Sequence, residues 1–541
     1  MGMRKTHALC IFQGGLNMSY KDFSFYISHL QFNNGTTLDI NQGDIIVFVG
    51  ANNVGKSQCL KDIQLDLIRN TPSTVLTNLS YQTDVTNMKD YLDSICSGKY
   101  LSDYYYYTIN GKQYNCNTHS YNLNIESNLH QYVNLFVANV DTKSRLNITD
   151  PKDRGTIDDG RQDPIDFVVY DQSKRLWLSK NFEKAFGVDI LPDILTSKKE
   201  ILRIGHNTLL EGNFEDEQTR QEAYMKWLSH QKQLHEQGDG YKSFAGVLLY
   251  LMLDYYKVFL IDEPEAFLHP PQAKIMGTII GQTLNSNQQA FISTHSEELI
   301  KGLLESCPER VRLIRVNRNG DNNSFSILNS DQIIEIWGDS FLKYSNLMSG
   351  LFYKSVVACE GDGDCKLYSI IDGYIKNKAG LYSESLFVNC GGKGRIYKVA
   401  KALSSLSVDC KVIVDLDIFE NKNDIVKLVE SKNIQWSEIE NDYTILMNDI
   451  KSSNLKWNSI KRAGVPSFPA GTATKAFNRI NKLLKEHSIF VVPVGELESF
   501  VKEAGTKKHG SEWVTDLLEQ YPDLEAHEYD SVRHFVSEIN I

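Results

Sequence analysis

Gly50-Ala51-Asn52-Asn53-Val54-Gly55-Lys56-Ser57 follows directly on the apolar run Ile45-Ile46-Val47-Phe48-Val49 and leads into a helical pattern. The spacing is G-x-x-x-x-G-K-S in a strand-loop-helix setting. Glycines allow a tight loop whose backbone N–H groups cradle an anion, the lysine reaches β and γ phosphates, and the serine hydroxyl sits on Mg²⁺. A glycine turn that binds nothing is the plain alternative, and the flanking strand and helix weigh against it. ATP and Mg²⁺ are therefore the expected ligands of Gly50, Asn53, Gly55, Lys56 and Ser57.

Outward from this loop, residues 23–40 alternate apolar and polar around Asn33-Asn34-Gly35, the pattern of a β-hairpin. Far downstream, the apolar run Val258-Phe259-Leu260-Ile261 ends in Asp262-Glu263, the partner that a phosphate loop requires. Asp262 is suited to the magnesium shell and Glu263 to polarising the attacking water. A helix is expected over 243–255, a further strand over 289–293, and a hairpin over 311–328 turning at Asn319-Gly320. Residues 71–238 yield no comparable motif. They hold a tyrosine run, Tyr104 to Tyr107, and a charged helical stretch over 215–237, and read as a large insertion with a dimerisation arm among its candidate roles.

A second alternation of strands and helices follows. Apolar, β-rich runs at 355–359, 386–389, 411–415 and 489–494, spaced by helical patterns, predict a largely parallel sheet. The first run ends in Glu360-Gly361 with Asp364 opening the next helix, and the third ends in Asp415-Leu416-Asp417. Alternate residues of an extended chain share a side, so Asp415 and Asp417 are expected to face Glu360 together. Such carboxylates repel one another unless cations lie between them. Hard oxygen ligands favour Mg²⁺ or Mn²⁺, and two ions about 3.5 to 4 Å apart suit phosphodiester hydrolysis. Acidic strand ends that merely solubilise a sheet edge are the bland alternative.

Taken together, the segment from Asp262 to Pro270, with Ser243-Phe244-Ala245-Gly246 before it and Ser293-Thr294-His295-Ser296 after it, resembles the ABC-type ATPases of recombination and repair. The resemblance implies that His295 senses the γ phosphate. It also implies that Ser243 to Gly246, a loose match to the family's signature, completes the ATP site of a second subunit, hence a homodimer or higher homo-oligomer through the ATPase and insertion. The order Glu360-Gly361-x-x-Asp364, Gly391-Gly392-Lys393-Gly394, Asp415-x-Asp417 resembles the TOPRIM domain. The pair of domains resembles the OLD (overcoming lysogenization defect) family of ATP-dependent nucleases, whose members often act against phage. By that resemblance Glu360, Asp364, Asp415, Asp417, Glu496 and, behind it, Glu498 form the metal set. A basic residue near the scissile phosphate is implied too, supplied by Lys508 or Lys507, with Lys393 competing.

The bulk properties are compatible with this reading. A chain of 541 residues is too long for one core, and 41% hydrophobic with 23% charged residues is the composition of ordinary globular domains. No run nears the ~20 apolar residues of a membrane span, and the first residues lack a secretory signal, so a soluble, cytoplasmic protein is expected. Nine cysteines without CxxC pairs argue against a disulfide framework or zinc knuckle. A net charge of -11 excludes a nucleic-acid coat over the whole surface. Locally, residues 451–485 hold eight Lys or Arg and no acid, interleaved with Trp457, Phe468 and Phe477, which suits a DNA groove.

The expected fold class is α/β: an ABC-type P-loop ATPase (1–70 and 239–350) with a largely helical insertion (71–238), followed by a TOPRIM α/β domain (351–541). The expected function is an ATP-dependent, divalent-metal-dependent DNA endonuclease, with a partner protein or nucleic acid encoded alongside left open. The runner-up is a DNA-binding ATPase clamp whose TOPRIM-like domain is structural or binds a partner. Primase or topoisomerase chemistry is a third reading, the latter needing a nucleophilic tyrosine.

Overall fold

The structure, a computed structural model, describes residues 23–69, 74–84, 91, 97–101, 104–109, 112–117, 129–154, 164–206, 216–320, 322–328, 330–339, 347–504 and 508–539. The chain forms two compact units, Met1–Asp331 and Gln332–Ile541. Among the described residues no helix is long and apolar enough to cross a membrane.

The first unit is organised by a six-stranded sheet in the order Asn322–Leu328, Val311–Asn319, Ile45–Val49, Gln289–Ser293, Val258–Asp262, Val137–Val140. All pairs are parallel except the hairpin at one edge, whose turn at Gly320 has φ +60°. Ile45–Val49 and Gln289–Ser293 are buried at every residue, the reason their sequences run apolar without alternation. The phosphate loop leaves the carboxyl end of Ile45–Val49, and the helix Lys56–Arg69 that follows packs over the two neighbouring strands. The expected N-terminal hairpin forms from Phe25–Phe32 and Thr37–Asp39, and Leu76–Thr83 adds a third antiparallel strand.

Within 71–238 helices alternate with short antiparallel strands. Helical segments are Leu129–Phe136, Thr142–Asn147, Pro164–Tyr170, Gln172–Phe186 and Glu217–Ser229, while Ser97–Leu101, Tyr104–Ile109 and Lys112–Asn117 make one small sheet and Asp189–Asp193, Lys199–Gly205 and Lys232–Gln233 another. Val137–Val140 joins the ATPase sheet itself, pairing with Val258–Asp262. Four residues are too few to show a period, so this edge strand was not legible as such. The helix expected over 243–255 runs Asp239–Leu251, because Tyr255 and Tyr256 are apolar through burial in the following turn and not through helical spacing. In the charged stretch 215–237, Asp216 caps the helix by accepting from Thr219 N at 2.7 Å, and the helix stops at Ser229.

The second unit holds four parallel strands in the order Ser385–Asn389, Ser355–Cys359, Asp409–Val414, Ile489–Val491. The two central strands lie side by side and end at one edge, which brings the residues after Cys359 and after Val414 together. Leu367, Tyr368, Phe500, Trp513, Tyr529 and Phe535 belong to one buried cluster beneath the first of these strands. The unit begins before residue 351: a Cβ at Gly350 would come within 2.8 Å of Val356 Cγ2, so Met348–Phe352 is packed onto the central strand.

Candidate functional site

A cavity of about 740 Å³ lies over the phosphate loop, with Lys56, Ser57, Glu263, His295, Arg318 and Asn323 in its wall. The loop is closed from beneath. Gly50 has φ +143°, and a Cβ there would stand 2.2 Å from the Val316 carbonyl oxygen, so only glycine fits. Asn53 takes the left-handed region at φ +62°. Lys56 Nζ donates to the Gly50 and Ala51 carbonyls at 2.8 and 2.7 Å. Burial pulls its pKa down to about 8, against the opposing pull of Glu263, Glu265 and Asp262. Arg318 and Asn323 come from the edge hairpin, and Asn323 Nδ2 clamps the loop at Val54 O, 2.6 Å away. Neither carried a sequence signal, since they lie hundreds of residues from the loop in an ordinary hairpin.

Opposite the lysine, the Ser293 hydroxyl donates to Asp262, and His295 Nε2 is hydrogen-bonded to Glu263 Oε1. Glu263 is held at φ +48°, an uncommon conformation for a residue with a side chain. Glu265 is half-buried and accepts from Thr294 Oγ1 at 2.6 Å and from His295 N at 2.8 Å, fixing the histidine backbone, and desolvation of its carboxyl raises its pKa. The expected set Asp262, Glu263 and His295 is thus assembled beside Lys56 and Ser57.

Arg145 was missed by the sequence reading. It is fully buried, and its guanidinium donates to the carbonyls of Asp262 and Glu263, to Ser243 Oγ at 2.8 Å and to Thr142 Oγ1 at 3.2 Å. Burial lowers its pKa while Glu265 and Asp262 resist that shift. Ser243 is itself fully buried, and Gly246 packs so tightly that a Cβ would lie 2.0 Å from the Arg145 carbonyl oxygen. The expectation that these two residues meet a second subunit's nucleotide is corrected: they face the protomer's interior, where Ser243 anchors the arginine that supports the Asp262-Glu263 backbone.

In the second unit, ligand oxygens of Glu360, Asp415 and Asp417 lie within 4.8 Å of one another. Asp415 N donates to Glu360 Oε1 at 2.9 Å, tying the two strand ends together. Asp417 is not on an extended chain as expected. Residues Leu416–Glu420 form a 3-10 turn, and it is this turn that carries the second aspartate back towards Glu360. Burial drives the Glu360 pKa up to about 7 and that of Asp364 to about 6, while Asp415 is pushed well above its ordinary range by burial and by the charge of Glu360. Asp364 Oδ2 accepts from Gly361 N at 2.8 Å, capping its own helix, and Glu498 Oε1 accepts from Gly510 N at 2.8 Å. Burial also raises the Glu496 pKa, although Lys461 opposes the change.

Of the lysines weighed from the sequence, Lys393 reaches the cluster and Lys508 does not. Lys508 forms a 2.9 Å ion pair with Asp516 and is half exposed, and Lys507 lies outside the described residues. Lys393 reaches Asp417 Oδ2 at 3.1 Å. Lys461 Nζ is 3.3 Å from Asp415 Oδ2, 3.3 Å from Asp417 Oδ2 and 3.8 Å from Glu496 Oε2. Burial works to lower its pKa, yet the charges of Asp415 and Asp417 raise it above the usual lysine range. Its one sequence signal was membership of the basic stretch 451–485. Trp457 opens the helix of Lys461, whereas Phe468 and Phe477 are buried against each other, so the interleaved aromatics do not form an exposed stacking platform.

The cluster fits a hard divalent cation. Asp417 Oδ1 is buried with no hydrogen-bond partner, and a carboxylate oxygen is not left so without cost unless a cation shares it. Glu360, Asp415 and Asp417 offer oxygens only, the donor set of Mg²⁺ or Mn²⁺.

A P-loop ATPase unit followed by a parallel α/β unit with converging strand-end carboxylates defines the class of ATPase-TOPRIM proteins. Family comparisons agree: the AAA ATPase domain matches residues 178–300, and the family "Overcoming lysogenization defect protein-like, TOPRIM domain" matches residues 351–417. The chain is 24% identical over 306 residues to Old nuclease of Escherichia phage P2, covering 52% of this chain and 49% of that protein. It is 34% identical over 103 residues to an uncharacterized protein of Methanocaldococcus jannaschii, covering 18% of this chain and 90% of the other. By these matches the chain is similar to OLD-type proteins in both its ATPase and its TOPRIM region. The match spans about half the length of Old nuclease. Among solved structures, an SmcHead bound to the C-winged helix domain of ScpA overlaps 57% of the chain and 100% of that chain at 12% identity with TM-score 0.33, a likeness too loose to weigh.

Proposed function

We propose that this chain is an ATP-dependent, divalent-metal-dependent endonuclease that cleaves DNA, and that it serves in anti-phage defence. The observation that carries the nuclease reading is the convergence of Glu360, Asp415 and Asp417, with one buried Asp417 oxygen left unpaired. A divalent cation bound there supplies Lewis-acid activation of a phosphodiester and a more acidic water. Glu360, Asp415 and Asp417 would hold it. The Asp415 N to Glu360 hydrogen bond sets the spacing of the ligands, and Lys393 and Lys461 both reach Asp417 Oδ2. Lys461, near where a scissile phosphate would meet the cluster, adds positive charge for an anionic backbone.

In the ATPase unit, Lys56 and Ser57 would meet the nucleotide phosphates and their Mg²⁺, Asp262, bonded to Ser293, would support the metal, and Glu263, bonded to His295, would orient water, a reading supported by their shared cavity and hydrogen bonds. ATP binding is proposed to control access or assembly, in a cytoplasmic homodimer built through the ATPase unit, with domains near 1–70 and 239–350, 71–238 and 351–541. The anti-phage role is supported by the family resemblance.

The deciding experiment incubates purified protein with supercoiled, linear and single-stranded DNA, with Mg²⁺ or Mn²⁺, with and without ATP, and with EDTA. Metal-dependent nicking is expected, abolished in the Asp415→Ala, Asp417→Ala double variant while ATP binding is retained. Undiminished cutting by that variant overturns the assignment.

A further inference from the structure

Glu265 has no part in the chemistry described above, yet it joins the two segments on which that chemistry depends in the ATPase unit. Its Oε1 accepts from Thr294 Oγ1 at 2.6 Å and from His295 N at 2.8 Å. Thr294 Oγ1 in turn accepts from Ser296 N at 2.9 Å, so one carboxyl oxygen gathers three successive residues of the loop that follows Gln289–Ser293. Thr294 is fully buried, and its backbone N donates to Phe48 O at 3.2 Å, two residues before the phosphate loop begins. The far end of this hydrogen-bonded path is therefore anchored in the strand that carries the loop itself.

On its own side, Glu265 lies in a turn bracketed by two residues in the left-handed region, Glu263 at φ +48° and Phe267 at φ +70°. Such a conformation costs a side-chain-bearing residue about 1–3 kcal/mol and persists only where neighbouring contacts hold it. Ala266 N donates to Glu263 O and Leu268 N to Glu265 O, each at 2.9 Å, which closes the turn locally. The Glu265 side chain then ties the turn to the loop of residues 294–296. Because His295 Nε2 is hydrogen-bonded to Glu263 Oε1, the contacts form a closed circuit. Glu263 meets His295 through side chains, His295 meets Glu265 through its backbone N, and Glu265 returns to Glu263 along the chain. Within that circuit the reach from imidazole to carboxylate depends on where Glu265 holds the histidine backbone.

The second Glu265 oxygen is buried without a hydrogen-bond partner, and Glu265, Glu263 and His295 together line a cavity of about 290 Å³. An amide in place of the carboxyl keeps the accepting oxygen and finds space for its NH₂ group. The carboxyl also acts through its charge on Lys56 and Arg145, and glutamine separates the two effects, since it retains the acceptor and loses the charge.

We propose that Glu265 is a positioning residue of the ATPase reaction, one whose single oxygen sets the register between Glu263 and His295 so that both are presented together to the γ phosphate. This rests on the reading of Glu263 and His295 given above and adds a residue that acts through them.

The test compares steady-state phosphate release and fluorescent-nucleotide binding by the full chain as parental protein, Glu265→Gln, Glu265→Leu, Glu263→Gln and the Glu263→Gln, Glu265→Leu double variant. Glu265→Leu is expected to lower kcat about tenfold or more while KM and nucleotide affinity stay within about threefold, and Glu265→Gln to regain about fivefold of that loss. In the Glu263→Gln background the leucine should cost no more than about twofold, because a group that acts through Glu263 then has little left to position. A kcat within about twofold of parental in Glu265→Leu overturns the proposal, as does a further loss of about tenfold in the double variant. Glu265→Gln as impaired as Glu265→Leu overturns it too, since charge and not the hydrogen bonds is then the cause. Thr294→Val removes one donor and leaves the carboxyl in place, and it carries the test should Glu265→Leu fail to fold. Its kcat should fall about threefold in the parental background and not in Glu263→Gln, and an unchanged parental-background kcat overturns the proposal. ATP turnover at the parental rate by Glu263→Gln itself removes the catalytic reading of Glu263 and the proposal with it, an outcome that the Glu265 variants alone do not produce.

Discussion

Glu360→Gln is expected to remove one distinct part of the pH dependence of stability of the metal-free TOPRIM unit, leaving the parts that come from Asp364 and Asp415. The Glu360 carboxyl titrates at about 7 in the folded chain against an ordinary value of 4.5, because burial disfavours its charged form. A gap of about 2.5 pH units corresponds to roughly 3 kcal/mol at 1.36 kcal/mol per unit. The sign follows from which state holds the proton. Below pH 4.5 both states are protonated and the folded state bears no penalty; between 4.5 and 7 the unfolded chain gives up its proton while the folded one keeps it. Stability therefore falls by about 3 kcal/mol across that window and levels off above pH 7. Amide exchange of the strands Ser355–Cys359 and Asp409–Val414 in EDTA, corrected for the intrinsic pH dependence of exchange, reads this directly. The parental protein should lose protection steeply from pH 4.5 to 7, Glu360→Gln should lose about 3 kcal/mol less over that window, and saturating Mn²⁺ should restore protection to the parental protein at pH 8. An unchanged slope in Glu360→Gln would refute the assignment of the buried charge to this carboxyl.

Glu263→Gln should lower ATP turnover by roughly 100-fold while leaving nucleotide affinity within a few-fold, measured by phosphate release beside fluorescent-nucleotide binding. Arg145→Met, which strips hydrogen bonds from the Asp262 and Glu263 carbonyls, should depress kcat by about tenfold or more with little change in KM, at a cost of about 3 kcal/mol in unfolding of the first unit. Lys508→Ala should leave plasmid nicking within about twofold, since its partner is Asp516; a hundredfold loss would restore it to the active cluster. Gly495→Ala should abolish nicking and weaken Mn²⁺ binding, because its Cβ would collide with the Lys461 carbonyl, while ATP hydrolysis by the other unit persists.

Both units were legible wherever chemistry and secondary structure coincide along the chain. The phosphate loop, the Asp262-Glu263 strand end and the Glu360 and Asp415 strand ends each join a short apolar strand to a functional residue within a few positions, and the topology then brings them together. Arg145 and Lys461 were not legible for the opposite reason. Each lies on a helix of six or seven residues, far in sequence from the carboxylate or carbonyl it meets, and so short a helix has no pattern that ties a basic residue to a site, the basic stretch 451–485 being the one hint for Lys461. Ser243 and Gly246 were misplaced because a small-residue segment reads alike whether it packs against an interior backbone or a partner's ligand. Asp417 was found for an imperfect reason: its neighbour in the cluster was anticipated, but the 3-10 turn that brings it there replaces the extended geometry assumed.

The edge strand Val137–Val140 and the arginine that follows it bear on how the first unit is made. Ile45–Val49 is synthesised early, yet its sheet neighbours, Gln289–Ser293 and Val311–Asn319, emerge from the ribosome only after the whole middle of the chain. A nascent chain therefore carries its phosphate loop without these sheet neighbours until Asn319 has been made. The nucleotide cavity is not closed until the late hairpin has docked, since Arg318 and Asn323 form part of its wall. Truncation anywhere before that hairpin should release a chain that is inert towards ATP, which makes the completed fold its own licence for activity.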